Sequence, residues 1–91
     1  MKALFENEKL KIHYFKECNN EKSKTYLFSI EIKDFDTPIL NLEYDESEDI
    51  VIRTWIDERD ENIPKSHVIY KLFCLIEFEV CEIIKFMIKH I

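Results

Sequence analysis

The sequence contains no glycine at all, and only two prolines and one tryptophan in 91 residues. The missing glycine excludes a good deal. Phosphate-cradling loops, the dinucleotide-binding fingerprint and the nucleophile elbow all depend on residues that tolerate positive φ or close backbone approach. Cysteine is scarce and odd in number, with only Cys18, Cys74 and Cys81 present. Three thiols cannot all pair within one chain. Cys74 and Cys81 stand seven residues apart in a segment read as helix, about 10 Å along its axis, too far for a disulfide. Reduced thiols and a cytoplasmic location are therefore expected. Long apolar runs are missing too. The opening MKALFENEKLK has no continuous apolar core of the kind a signal peptide carries. The Ile-, Phe- and Leu-rich segment from Tyr70 to Ile91 is broken by Glu77, Glu79, Glu82 and Lys85. Each of these costs about 2.5–3.5 kcal/mol near a bilayer centre, so no membrane span is expected.

What is present fits one small domain over residues 1–91, with 46% hydrophobic and 13% aromatic residues. That is too apolar for a disordered tail. A chain of this length buries only about 60–70% of the surface its unfolded form exposes, so a second source of stability is useful to it.

Hydrophobic spacing predicts the elements. Leu10, Ile12 and Tyr14 alternate with Lys9, Lys11 and His13, the period-2 pattern of a half-buried strand. A polar turn over Cys18–Ser23 leads to a second alternating run, with Tyr26, Phe28, Ile30 and Ile32 on one face. Pro38 interrupts the pattern because it cannot donate to a ladder. Leu40, Leu42 and Tyr44 form a third strand. After the turn at Asp45–Asp49, Ile50, Ile52, Thr54 and Ile56 form the inward face of a fourth, with Val51, Arg53 and Trp55 outward. The expectation is an α+β fold, a four-stranded antiparallel meander over about residues 8–58 covered by a long C-terminal helix over about 64–91. In that helix Ile69, Phe73, Ile76, Val80, Ile83, Met87 and Ile91 recur every three or four residues as one apolar stripe. Leu72, Leu75, Phe78, Phe86 and Ile88 widen the apolar surface beyond one face. Surplus apolar surface on an overlong helix points to a second chain, so a homodimer is expected, with Leu75, Phe78 and Phe86 at its interface.

Catalytic and metal chemistry find little support in the residue pattern. His13, Cys18, His67, Cys74, Cys81 and His90 offer ligand-type atoms, but no pair has the spacing of a structural zinc site. The Asp45–Asp49 run lacks the glycine and distal glutamate of a calcium loop. Nothing local builds an oxyanion pocket or a nucleophile–base pair. No cofactor, no metal and no enzymatic activity are expected.

The uneven feature is charge. The net charge is −6, with 13 Lys and Arg against 19 Asp and Glu. Residues 34–61 alone carry eleven acids against Arg53 and Arg59, a local net of −9, whereas residues 1–33 and 62–91 are both slightly positive. A charged run is usually a solvated surface that guards sheet edges. Here it lies in the strand-rich half, where alternate residues such as Glu43 and Asp45 set carboxylates on one face about 6.6–6.8 Å apart. A row of fixed anions matches, in sign and regularity, what a nucleic-acid strand presents to a basic groove. Glu43, Asp45, Glu46, Glu48, Asp49, Asp57, Glu58, Asp60 and Glu61 are the candidate phosphate mimics. Tyr44 and Trp55 are candidate aromatic contacts beside them.

The whole-chain profile, and the stretch NLEYDESEDIVIRTWIDERDE from Asn41 to Glu61 in particular, resembles the Arn antirestriction proteins of large bacteriophages. That resemblance implies a non-enzymatic DNA mimic in the host cytoplasm. It would block a basic DNA-binding protein, a restriction or other defence nuclease, without binding nucleic acid or membrane itself. The competing expectation is a small interaction adaptor or transcription modulator that binds through its apolar C-terminal helix and carries its acids for solubility.

Overall fold

The computed structural model describes residues 4–19, 21–35, 37–56 and 63–90. Its elements are β1 (Leu4–Glu6), β2 (Leu10–Asn19), β3 (Lys24–Ile32), β4 (Leu40–Asp45), β5 (Ile50–Ile56) and α1 (Ile63–Lys89). The strands form one antiparallel meander in the order β1-β2-β3-β4-β5. The α+β class, the meander and the C-terminal helix are as the hydrophobic spacing predicts, but the described residues form five strands where four were expected. The extra strand is β1. Three residues are too few to show a period, yet Phe5 pairs with Ile12 and packs on the core. Asn7 sets the reversal, its side-chain oxygen accepting from the backbone N–H groups of Lys9 at 2.8 Å and Leu10 at 2.7 Å. Such an Asx turn is how a chain without glycine folds back tightly. Lys33 then fastens β1 from β3's end, donating to Glu6 at 2.5 Å and to the Asn7 carbonyl at 2.8 Å.

One face of the sheet is dry. Leu10 and Ile12 of β2, Tyr26, Phe28, Ile30 and Ile32 of β3, and Leu40, Leu42 and Tyr44 of β4 are all buried. Against them α1 lays Ile69, Phe73, Val80, Ile84 and Met87, with Ile76 and Ile83 half-buried beside them. Ile84 joins the predicted stripe, and Ile91 lies outside the described residues. Burying a side chain of this size stabilises by roughly 1.5–3 kcal/mol, so this interface carries the domain.

Two bulges interrupt the strand pairing, and the second alters the predicted faces. In β2 the pairing jumps from Tyr14 opposite Phe28 to Lys16 opposite Leu27, leaving Phe15 unpaired and 61% exposed. In β5 it jumps from Arg53 opposite Glu43 to Val51 opposite Tyr44, leaving Ile52 as the extra residue. An inserted residue reverses the phase of everything beyond it. The inward set on β5 is therefore Val51, Thr54 and Ile56, not the expected Ile50, Ile52, Thr54 and Ile56. Val51 packs on the core, while Ile50 and Ile52 are 49% and 45% exposed. The bulge also disrupts a long sheet edge that would otherwise template association.

Candidate partner-binding site

Two surfaces compete as the site, the acidic turn between β4 and β5 and the outward face of α1. Five of the nine candidate phosphate mimics fall on described residues. Asp57, Glu58, Asp60 and Glu61 lie outside them.

Glu43 projects from β4 on the face away from α1, directly across from Arg53 on β5. Its carboxylate accepts from the Thr25 hydroxyl at 2.6 Å and from Arg53 Nε at 2.7 Å. The Thr25 bond first, and the Arg53 guanidinium after it, hold the carboxyl below its usual range against the opposing effect of burial. The Glu43 side chain is only 12% exposed. Arg53 in turn lies over the Trp55 ring, 4.4 Å from its centroid, so the candidate aromatic contact is occupied by a cation of its own strand.

Asp45 folds back on its own turn. Its Oδ1 accepts from the Ser47 hydroxyl at 2.7 Å and from the backbone N–H groups of Ser47 at 2.9 Å and Glu48 at 3.3 Å. These bonds, the hydroxyl foremost, lower its pKa. Asp49 ends the turn in the left-handed region, at φ 57°. Asp tolerates that conformation better than most residues, and here it takes the place a glycine would ordinarily fill. Its carboxylate accepts from the Tyr44 hydroxyl and pairs with Lys85 of α1 at 2.9 Å. Lys85 is the larger cause of its lowered pKa and Tyr44 the second. Burial, reinforced by Asp49, raises the pKa of the Tyr44 phenol.

Glu46 accepts from the Tyr26 hydroxyl at 3.0 Å, and burial plus that carboxylate push the Tyr26 phenol up to about 12. Glu48 is exposed. The five described acids therefore do not stand as one row. Glu43 and Asp49 are each paired with a cation, Asp45 caps a turn, and Glu46 and Glu48 face solvent at the turn's rim. Sequence proximity identified only Arg53 and Arg59 as neutralising cations. Lys85 was missed because it comes from the other end of the chain, and no local signal marks it.

The second surface is unlike the first. Leu75 and Phe78 are each 82% exposed and Phe86 is 62% exposed. Leu75 and Phe78 lie on the side of α1 opposite its buried stripe and Phe86 at the edge of that side, as 3.6-residue periodicity dictates. Phe86 is partly supported by His90, whose ring centroid is 4.3 Å away. Phe78 borders a groove between α1 and the β5 edge, shared with Val51, Cys74 and Cys81. Burial, and after it Glu77 and Asp49, raise the pKa of the Cys81 thiol, which disfavours the reactive thiolate. All three cysteines are free.

Among the described residues, no group of three or more His, Cys, Asp or Glu side chains is placed to hold a metal ion. No helix among them is long and apolar enough to cross a membrane. No family model matches the chain, and no curated protein or solved structure matches it either.

Proposed function

We propose that the chain is a binding protein without chemistry of its own, and that it engages a partner protein through the outward face of α1. Leu75 and Phe78 form the centre of this surface and Phe86 its flank. The observation that carries this reading is their exposure, 82%, 82% and 62%, on a helix whose opposite face already supplies the core. Apolar side chains held on a rigid helix lose little entropy on docking, and aromatic anchors of this kind dominate protein interfaces.

A second reading is inhibition of a host DNA-binding nuclease by acidic mimicry. The net −9 over residues 34–61 and the solvent-facing Glu46 and Glu48 favour it. It stands second because Glu43, Asp45 and Asp49 are engaged within the protein, which leaves a thinner anionic surface than the charge count implies.

One comparison tests both readings. Tagged wild type, L75D/F78D/F86D and E46K/E48K/D57K/E58K/D60K/E61K are expressed in the native host. Each is assayed for the proteins it retains and for inhibition of DNA cleavage by a restriction complex. Loss of a bound partner in the apolar variant alone is expected. Loss in the acidic variant alone, together with loss of salt-sensitive inhibition, would replace the first reading with mimicry. A partner kept by both variants would refute both.

A further inference from the structure

We infer that the occupant of this face is a second copy of the chain, its α1 lying antiparallel to the first about a two-fold axis between residues 76 and 77. The inference rests on the reading of that face as a docking surface and names what docks there. Lys71, Leu75, Phe78 and Glu82 follow one another at intervals of four, three and four residues. That spacing makes a single straight seam on an α-helix, the heptad seam of paired helices. All four are exposed. The seam reads cation, apolar, apolar, anion.

A two-fold axis at its middle makes the surface complementary to itself. Leu75 meets Phe78 of the second copy and Phe78 meets Leu75, while Lys71 meets Glu82 at one end and Glu82 meets Lys71 at the other. A parallel pair would set each residue against its own kind, Lys71 on Lys71 and Glu82 on Glu82. Antiparallel packing converts both like-charge contacts into opposite-charge contacts. Sliding by about one turn is also disfavoured, because it sets Leu75 against Glu82 in one direction and Lys71 against Phe78 in the other. The axis lies at the middle of α1, Ile63–Lys89, so the helices overlap along nearly all of their roughly 40 Å. Glu82 already touches Lys85 at 3.1 Å, but its side chain is 53% exposed and open to a second cation.

The test is the molar mass of the full chain over a concentration series, by sedimentation or light scattering. Wild type should approach twice the 11.1 kDa chain mass. K71E and E82K each place like charges at both ends of the seam and should weaken self-association about five- to thirtyfold. The double variant K71E/E82K should restore it, because the exchanged signs again oppose. L75D/F78D should be monomeric with an unchanged circular dichroism spectrum, both positions being exposed. A double variant as weak as the single ones would overturn the antiparallel register. A wild type monomeric at every concentration would overturn self-pairing, yet leave the α1 face open to a different protein. A dimer that L75D/F78D leaves intact would overturn both the pairing and the docking surface.

Discussion

Replacing Glu43 separates a structural carboxylate from a displayed one. In Glu43→Ala the Thr25 hydroxyl, only 1% exposed, loses its acceptor. An unsatisfied buried hydroxyl costs about 1–3 kcal/mol. Losing the Arg53 pair adds at most about 1 kcal/mol, since the Arg53 side chain is 62% exposed and the pair is screened by solvent. The expected destabilisation is about 2–3 kcal/mol. For a domain of this size that lowers the melting midpoint by roughly 10–20 °C. Glu43→Gln keeps an acceptor for Thr25 and should lose about 1 kcal/mol, mostly the charge-assisted part of the bond. Glu48→Gln removes an exposed anion from a crowded acidic stretch, so its midpoint should stay level or rise slightly. The assay is thermal and urea unfolding of the three variants side by side. If Glu43→Ala proves as mild as Glu48→Gln, the Thr25–Glu43–Arg53 cluster holds nothing together, and the case for Glu43 as a structural acid fails.

Other outcomes follow from the same contacts. Glu43, Asp45 and Asp49 all have folded-state pKa values below their ordinary 4.5, 3.8 and 3.8. Their contribution is therefore complete above those values and lost as pH falls below them, so acid titration should lower the melting midpoint below about pH 4.5. At the alkaline end the sign reverses. Tyr26, raised from 10.0 to about 12, stabilises fully below pH 10.0 and loses that contribution as pH climbs towards 12, which a pH series of unfolding curves would show. The β5 bulge makes neighbouring residues unequal: Val51→Asp should unfold the domain, while Ile52→Asp should leave its spectrum and midpoint nearly unchanged. Phe28→Ala, at a position with no exposure, should cost about 3–5 kcal/mol. Phe15→Ala, on the β2 bulge, should cost far less in the same urea titration.

Most of the sheet could be read from the sequence, because a half-buried strand must alternate, as β2 does up to Tyr14 and as β3 and β4 do throughout. On β4, Tyr26, Phe28 and Ile30 stand opposite Tyr44, Leu42 and Leu40, and on β2 Phe28 and Ile30 stand opposite Tyr14 and Ile12, while Tyr26, beyond the bulge, meets Glu17. The features that escaped each involve something a period cannot encode. β1 is only three residues long and depends on the Asn7 turn and on Lys33, 27 positions from Glu6. The bulges at Phe15 and Ile52 each add one residue, which leaves composition unchanged but reverses the facing of what lies beyond. On β5 that placed Val51 inward where Ile50 and Ile52 were expected.

Charge followed a similar course. The concentration of acids in residues 34–61 was plain in the sequence, but their neutralisation was not. Arg53 acts on Glu43 through strand pairing, and Lys85 reaches Asp49 only because α1 folds back across the sheet. The acidic turn is thereby tied to the helix, and the phenols of Tyr26 and Tyr44 bridge the core to its rim. The surplus of apolar residues on α1 was legible for the opposite reason. One helix face can be buried against one sheet, so Leu75, Phe78 and Phe86 had no place within the chain's own core.

The most direct measurement places the photoreactive analogue benzoylphenylalanine at position 78 in cells, with a control at Phe15, itself 61% exposed. Irradiation should yield a discrete protein adduct from position 78 and none from position 15, its mass revealing the partner. Equal labelling at both positions, or no adduct at 78, would contradict the outward face of α1 as the working surface of this protein.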